Sequence, residues 1–146
     1  MIQNGVAKKS EPIVPRMEFR HVSLAYDDQV VLDDVSFTVW PAELKLMLGE
    51  SGGGKSTVIK LTLGLEKPDA GEIFIDGVRF LASKTARVAP GNRTQIEDEG
   101  ERFCLANTRV MMLHHGRIIF EGPDELFWKS NDPVIREFVE YDTALQ

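Results

Sequence analysis

The sequence predicts an α/β domain, and three features of the chain carry that prediction. An apolar run at residues 44–48 leads into a glycine-rich loop, and a run with helical apolar spacing follows the loop at residues 58–65. A β-rich stretch precedes this unit, between residues 17 and 40. Two short apolar runs, at residues 110–113 and 117–120, predict a strand pair near the C-terminus. The strand–loop–helix unit therefore lies between two β-rich segments of the chain.

The glycine-rich loop, GESGGGKST at Gly49–Thr57, fits the pattern G-x-x-x-x-G-K-[ST]. Gly52–Gly54 have no Cβ, so the backbone can curl with consecutive N–H groups pointing inward at a phosphate. A helix that begins near Lys55 adds its unpaired N–H groups and the positive end of its dipole. In this pattern Lys55 reaches the β- and γ-phosphate oxygens and the Ser56 hydroxyl is a ligand of Mg²⁺.

The alternative interpretation of this loop is a glycine-rich turn that happens to precede Lys-Ser. From average residue usage, a chance match in a chain of this length is roughly a one-in-a-few-hundred event. The strand before the loop and the helix after it make chance a poorer explanation, and they favour phosphate binding as the ancestral role of the segment.

The composition is that of a soluble globular protein and suits one domain. The chain has 146 residues, of which 42% are hydrophobic and 27% charged. A net charge of −6 argues against nucleic acid as the main partner, because phosphate backbones select basic surfaces. The chain has one cysteine, Cys104, so an intrachain disulfide is impossible. Neither a membrane-spanning run nor a secretory signal is recognisable, which predicts a cytoplasmic or peripheral protein.

The segment before the loop is expected to begin with a disordered lead-in, residues 1–16, and to continue as strands. The runs Val30–Leu32 and Val35–Trp40 give strand signal, and Pro41 ends the second run. Four apolar residues that alternate imperfectly predict an earlier strand: Met17, Phe19, Val22 and Leu24.

The strand that leads into the loop, Glu43–Leu48, is apolar enough to be buried on both faces, with Lys45 at its mouth. Gly64 and Pro68 bracket the end of the helix after the loop. This helix is expected to bury Val58, Ile59, Leu61, Thr62 and Leu65.

Two hairpins are predicted in the remaining chain. Glu72–Asp76 has the pattern of a short strand, and Asp76-Gly77 that of a hairpin turn. Further on, Val110–Leu113 and Arg117–Phe120 are strands joined by the tight turn His114-His115-Gly116.

Two helices are predicted after the second hairpin. Pro123, Asp124 and Glu125 suit the first turn of one helix. Asp132 caps the other, with Pro133 at its first position. The apolar side of that last helix is formed by Val134, Ile135, Phe138 and Val139.

These residues together resemble an ATP-binding-cassette (ABC) transporter ATPase. The segment from Phe19 to Phe80 is similar to the first third of such a domain. It contains, in family order, Tyr26, VLDDVSFTV, the Walker A loop GESGGGKST and the run LTLGLEKPDAGEIFIDG. Ala42 is a small departure, since the family usually has glycine there. The segment Arg109–Phe127 resembles the closing strand pair and the helix after it. The ending Ser130–Val139 (SNDPVIREFV) resembles the subgroup that serves lipid-trafficking transporters of the bacterial envelope.

The resemblance implies a P-loop NTPase fold of the ABC ATPase type, with an antiparallel β subdomain. It also implies that the central part of the domain is missing, which predicts a truncated core sheet and no helical signature subdomain. The expected division is a lead-in at 1–16 and an incomplete domain at 17–146. Within that domain, 17–81 carries Walker A, 82–107 is a polar linker in place of the central part, and 108–146 holds the C-terminal hairpin and helices. The strand before the loop would then have unpaired edges, since its family neighbours come from the missing interval.

Most of the family's hydrolysis apparatus is not recognisable in this chain. It has no LSGGQ-like signature string, no Walker B strand in the usual place, and no strand ending in the glutamine that senses the γ-phosphate. The acids of IFID (Asp76) and IIFEG (Glu121) match family hairpins better than catalytic carboxylates. His114 and His115 lie after the usual place of the switch histidine and are expected to be solvent-exposed turn residues. Gln95 has no apolar strand before it.

The resemblance implies an ATP-binding subunit of an ABC transporter, with ATP and Mg²⁺ as cofactors, transmembrane subunits as partners, and impaired hydrolysis. The alternatives are a non-catalytic remnant and an interaction module without transport activity. No residue is assigned a catalytic role, and nucleotide-sandwiched dimers lack support because the signature loop is absent. Ser56 is the metal ligand. The predicted nucleotide-binding residues are Tyr26, Gly49, Glu50, Ser51, Gly52, Gly53, Gly54, Lys55, Ser56 and Thr57. Tyr26 is the aromatic that family members stack on adenine.

Overall fold

The computed structural model describes residues 11–82 and 107–144. These residues form two sheets, with strand orders β2-β1-β4-β5 and β3-β6-β7. The elements are β1 (Met17–Tyr26), β2 (Gln29–Val39), β3 (Glu43–Gly49), α1 (Lys55–Thr62), β4 (Ala70–Ile75), β5 (Val78–Ala82), β6 (Asn107–His114), β7 (Arg117–Pro123), α2 (Asp124–Trp128) and α3 (Pro133–Ala144).

The four-stranded sheet is antiparallel throughout, and a bulge explains the imperfect alternation of its first strand. The pairing of β1 with β2 shifts register between Phe19 and Val22, and His21 in this interval has a φ of 51°. One extra residue in a strand moves the following side chains to the other face. Phe19, Val22 and Leu24 are therefore all buried in the same core.

The two runs predicted between Val30 and Trp40 belong to one strand, β2. Asp34 has a φ of 54°, and the register of β1 against β2 shifts on either side of Val22, the partner of Val35.

The Asp76-Gly77 turn is confirmed. Both residues have positive φ, 48° and 75°, which suits a two-residue hairpin turn of the type that right-twisted strands favour.

The strand before the glycine-rich loop has one paired edge, so the prediction of unpaired edges was wrong for that side. β3 pairs in parallel with β6, with Leu46 opposite Val110 and Gly49 opposite Leu113. β6 pairs in turn with β7 in an antiparallel hairpin. The neighbour therefore comes from the C-terminal part of the chain. Among the residues that the structure describes, β3 is the edge strand on its other side.

The prediction that β3 is buried on both faces was also wrong. Leu44 and Leu46 are 48% and 42% exposed. On the opposite face, the Lys45 side chain is only 5% exposed and not at an open mouth. Its ammonium group donates to the Thr38 carbonyl and to the Glu121 carboxylate, which is why a charged group can be buried there.

The helix after the loop begins at Lys55 as predicted and ends early, at Thr62. Val58 and Leu61 are buried, whereas Ile59 and Leu65 are 51% and 70% exposed, against the prediction. An eight-residue helix that packs on one sheet can bury only one narrow stripe. Ile59 lies off that stripe, and Leu65 lies beyond the end of the helix.

One core joins the two sheets and α1, and a second core covers part of the other face of the three-stranded sheet. Phe19 and Phe37 stack at 4.5 Å between ring centroids in the first core, which also contains Leu113. The second core contains Phe127 of α2 and Ile135 of α3.

The start and the apolar side of α3 are confirmed. The Asp132 carboxylate accepts the backbone N–H of Val134 at 2.9 Å and that of Ile135 at 3.3 Å, as a helix cap does. No helix among the described residues is long and apolar enough to cross a membrane.

Some predictions fall outside the described residues. Residues 1–10 of the predicted lead-in lie outside the described residues. The predicted linker at 82–107 also lies outside them, except for its two end residues, of which the first ends β5 and the last begins β6. Cys104 and Gln95 also lie there. The division of the chain into these parts stays a prediction.

Candidate functional site: a glycine-rich loop at the start of a helix

The glycine-rich loop connects β3 to α1 and passes close to backbone on both sides. Gly49 has a φ of 147°, and a Cβ there would lie 2.3 Å from the Leu113 carbonyl oxygen of β6. Gly54 has a φ of 104°, and a Cβ there would lie 2.7 Å from a methyl group of Leu32. Since ordinary side chains cannot fit at either position, the packing of the loop itself requires glycine.

The loop ends in a helix start that carries no side-chain cap. Gly54 is the N-cap residue, and its carbonyl accepts the Val58 N–H at 3.0 Å. The N–H groups of Lys55, Ser56 and Thr57 come before that of Val58, the first that donates within the helix, so the helix itself cannot satisfy them. Ser56 is exposed, whereas Thr57 is buried. The site thus offers N–H groups, a hydroxyl and the positive end of the α1 dipole.

Lys55 lies across the loop. Its ammonium group donates to the carbonyl oxygens of Gly49 and Glu50, the latter at 2.7 Å. The Gly53 N–H donates to the Glu50 carbonyl at 3.1 Å, which closes a tight turn inside the loop. These contacts hold a positive charge beside the glycines.

The turn at His114-His115-Gly116 supports the loop from behind, and sequence reasoning missed this contact. The Gly116 N–H donates to the Gly53 carbonyl at 3.2 Å, and the Gly116 carbonyl accepts the Asp33 N–H at 3.0 Å. A Cβ on Gly116 would lie 2.4 Å from the Val31 carbonyl oxygen. The turn is therefore wedged between the loop and β2. A signal was available in the sequence, because a glycine at a tight turn often marks close backbone approach.

Tyr26 lies at the end of β1 and is 37% exposed. The Lys60 ammonium group of α1 is 5.9 Å from the centroid of its ring. This contact places the phenol beside α1, the helix that begins at the loop. All the other predicted site residues form the continuous stretch Gly49–Thr57.

The two histidines of the turn also contact the loop. The Glu50 carboxylate is 3.2 Å from Nδ1 of His114 and 3.7 Å from Nδ1 of His115. The His115 side chain is 79% exposed, as expected of a turn residue, but that of His114 is only 27% exposed. The prediction of two solvent-exposed histidines was therefore wrong for His114, which ends β6.

The two carboxylates weighed as replacements for a catalytic acid lie elsewhere. Asp76 is in the β4–β5 turn of the other sheet and pairs with Arg16 at 2.9 Å. Glu121 of β7 binds Lys45, near the start of β3 and away from the end that enters the loop. The family-hairpin interpretation of both residues agrees with these positions.

A second charged cluster, also missed from the sequence, surrounds Lys45. Glu43 is 3.6 Å from the Lys45 ammonium group and 3.4 Å from Nε of Arg109, and the side chain of Glu43 is 4% exposed. Trp40 donates its backbone N–H to the other carboxylate oxygen of Glu43 at 2.7 Å. This cluster anchors the start of β3, whereas the glycine-rich loop follows its end.

The fold and the loop define the class of this protein: a phosphate-loop α/β domain, in which a strand, a glycine-rich loop and a helix form one unit. Residues 32–113, more than half of the chain, match the profile of the family described as ABC transporter. The chain therefore belongs to the ABC transporter family.

Curated relatives match the chain over part of its length. It is 43% identical over 72 residues to the putrescine transport ATP-binding protein of Escherichia coli, covering 49% of this chain and 19% of that protein. It is 42% identical over 87 residues to a ribose import ATP-binding protein of Burkholderia ambifaria, covering 56% and 17%. It is 45% identical over 62 residues to the zinc import ATP-binding protein of Rickettsia conorii, covering 42% and 27%. The chain thus spans less than a third of the length of these relatives.

Among solved structures, the chain is similar to one described as the ATP-binding subunit of an ABC transporter. The identity is 43% and the TM-score 0.42, over 43% of this chain and 26% of that one. A nucleotide-free ATP-binding cassette from an ABC transporter matches at 25% identity and a TM-score of 0.45, over 47% and 27%.

Proposed function

We propose that this chain is the nucleotide-binding part of an ABC transporter and holds ATP through the loop Gly49–Thr57. The observation that carries the proposal is the start of α1, where uncapped N–H groups, the Lys55 ammonium group and the exposed Ser56 hydroxyl come together. A polyphosphate is the ligand that such a group of donors suits, because it presents several charged acceptor oxygens.

Each residue of the loop has a role in this proposal. The N–H groups of Gly52–Gly54 and of the first turn of α1 surround the phosphates, and the Gly53 N–H exchanges its Glu50 carbonyl acceptor for a phosphate oxygen. Lys55 exchanges its two carbonyl acceptors for β- and γ-phosphate oxygens. Glu50 and Ser51 form the exposed outer side of the loop, and the buried Thr57 anchors the helix start. Tyr26 stacks on the adenine, since it lies beside α1 with part of its ring exposed.

Mg²⁺ fits this site through Ser56. The Ser56 hydroxyl is exposed at the start of α1, where the phosphates would lie, and Mg²⁺ commonly takes few protein ligands and completes its shell with phosphate oxygens and water. When bound, the ion supplies neutralisation of phosphate charge.

Hydrolysis is proposed to be impaired in this chain. Phosphoryl transfer to water needs an oriented water and charge stabilisation in addition to phosphate binding. Asp76 and Glu121, the two candidate replacements for a catalytic acid, are held in ion pairs away from the loop. Losing such groups usually raises the barrier by several kcal/mol. A non-catalytic nucleotide-binding protein is the resulting alternative to a working ATPase.

The proposed setting is the cytoplasmic face of a membrane, where transmembrane transporter subunits would be the partners. The relatives are described as putrescine, ribose and zinc transport proteins, so their names do not agree on one substrate. The resemblance of Ser130–Val139 to the lipid-trafficking subgroup favours a lipid substrate. The proposal includes neither nucleic-acid binding nor nucleotide-sandwiched dimers.

Isothermal titration with ATP and Mg²⁺ tests the phosphate-binding role. We expect weak binding to the wild-type chain and no measurable binding to Lys55→Ala, because the variant loses the charge that faces the phosphates. Lys129→Ala removes an exposed lysine after α2 and is the matched control. Equal affinity of Lys55→Ala and wild type, with both folded by circular dichroism, would reject the assignment. Steady-state ATP turnover that disappears in Lys55→Ala would instead reject impaired hydrolysis.

A further inference from the structure

The side chains of Glu50, His114 and His115 form a compact group on the outer side of the glycine-rich loop. One ligand atom from each residue lies within 4.8 Å of the others. The Glu50 carboxylate is 3.2 Å from Nδ1 of His114 and 3.7 Å from Nδ1 of His115, and the two imidazole rings are 4.0 Å apart between centroids. We propose that these three residues bind a divalent transition-metal ion of the Zn²⁺ type.

The separations suit such an ion. Zn²⁺ binds histidine nitrogen and carboxylate oxygen at about 2.0–2.2 Å in tetrahedral geometry, so its ligand atoms lie about 3.3–3.5 Å apart. The Glu50–His114 separation has nearly that value, and the Glu50–His115 separation exceeds it by a few tenths of an ångström. The His115 side chain is 79% exposed, so little packed protein opposes a movement of its ring toward the carboxylate.

The donor set also selects the kind of metal. Two imidazole nitrogens and one carboxylate oxygen suit Zn²⁺, Co²⁺ or Ni²⁺, whereas Mg²⁺ and Ca²⁺ prefer sites made entirely of oxygen. Three protein ligands leave one tetrahedral position for water or another small ligand. The exposed His115 gives the ion access from solvent.

The backbone holds the ligands in place before any metal binds. The two histidines occupy a hairpin turn that is fixed by the Gly116 N–H bond to the Gly53 carbonyl and by the Asp33 N–H bond to Gly116. Glu50 starts the tight turn that the Gly53 N–H closes. Metal sites whose ligands are fixed in this way lose little conformational entropy on binding. A bound ion would link the glycine-rich loop to the β6–β7 hairpin.

This site does not depend on nucleotide binding, so its test uses the metal alone. Untagged protein carrying Cys104→Ser, which removes the one thiol, is titrated with Zn²⁺ in competition with a chromophoric chelator. We expect one Zn²⁺ per chain and no competition from excess Mg²⁺. In that background, Glu50→Gln and His115→Asn should each weaken binding by roughly tenfold or more, since even indirect metal partners are worth about that much. Asparagine suits the positive φ of His115, 49°, so this variant keeps the turn.

His21→Asn is the matched control, because His21 is the remaining histidine of the chain, has a similar φ of 51° and contacts Asp34 in the other sheet. We expect its zinc affinity to equal that of the Cys104→Ser parent. At the same concentration, Zn²⁺ should raise the melting temperature of the parent and of His21→Asn more than that of His115→Asn, because a ligand that binds only the folded chain stabilises it according to its affinity. Absence of stoichiometric binding, or equal affinity in His115→Asn and the parent, would overturn the proposal. Weaker binding in His21→Asn alone would also overturn it.

Discussion

Strand β1, inside the four-stranded sheet, and strand β3, at the edge of the three-stranded sheet, differ in how completely their apolar residues are covered. In the four-stranded sheet Phe19, Val22, Leu24 and Ile73 are all at most 1% exposed. In the three-stranded sheet Val110–Leu113 of β6 are at most 2% exposed, yet Leu44 and Leu46 of the neighbouring β3 are 48% and 42% exposed. The first sheet is made of two hairpins, β1–β2 and β4–β5, both within residues 17–82, whereas the second pairs β3 with strands far along the chain.

The difference shows where the fold depends on distant segments. In an antiparallel sheet whose strands are close in sequence, nearby segments of the chain supply the side chains that bury one face. Antiparallel pairing also allows the other face to be exposed to solvent. A strand in a parallel sheet usually pairs with neighbours on both edges and is buried on both faces. In the described residues β3 has one neighbour, β6, so part of its apolar surface stays open. The glycine-rich loop is nevertheless formed, because it needs the paired edge of β3, the β6–β7 turn and α1.

Replacing a buried aromatic residue of the four-stranded sheet should have the largest effect on the free energy of unfolding. Phe19→Ala removes a fully buried ring that stacks on Phe37 and should lower the free energy of unfolding by about 3–5 kcal/mol. Leu44→Ala, on the open face of β3, is the matched comparison and should change it by less than about 0.5 kcal/mol. Urea denaturation of both variants measures the contrast. Similar losses in the two variants would show that Leu44 is covered in solution.

The contact of the β6–β7 turn with β2, which connects the two sheets, can be tested at Gly116. Gly116→Ala introduces a Cβ 2.4 Å from the Val31 carbonyl oxygen at a φ of 76°, and it should cost more than the about 1–2 kcal/mol of left-handed strain alone. Gly52→Ala has a similar φ, 80°, with no atom within 4 Å of its Cβ, and should cost that strain alone. The difference between the two variants in thermal unfolding therefore measures the cost of the clash between the added Cβ and Val31. If Gly52→Ala is the more damaging change, the turn does not support the loop as described.

Local patterns predicted most of the fold, and tertiary contacts account for the errors. The loop, the Asp76-Gly77 turn and the Asp132 cap depend on residues that are close in sequence, and these predictions were confirmed. The pairing of β3 with β6 joins residues more than sixty positions apart, and no periodicity in either strand encodes that choice. The burial of Lys45 likewise follows from Glu121, a partner 76 residues away.

In the candidate site, too, the features that depend on nearby residues were predicted and the contacts between distant segments were not. The residues proposed to bind phosphate were recognisable because the motif is one continuous stretch, Gly49–Thr57. The support from Gly116 and the approach of His114 and His115 to Glu50 were not, since they arise when the β6–β7 turn folds against the loop. A sequence shows which residues can bind a ligand more readily than it shows which segments hold them in place.

The most direct measurement of the central claim is a nuclear magnetic resonance titration with ADP and Mg²⁺, observing backbone amides of the uniformly ¹⁵N-labelled chain. If the loop and the start of α1 bind the phosphates, the amide signals of Gly52–Thr57 should shift with nucleotide concentration. The amides of Asp76 and Gly77, in a turn of the other sheet that also contains glycine, should stay in place. Shifts that spare Gly52–Thr57, or that are equal at the two turns, would contradict the account.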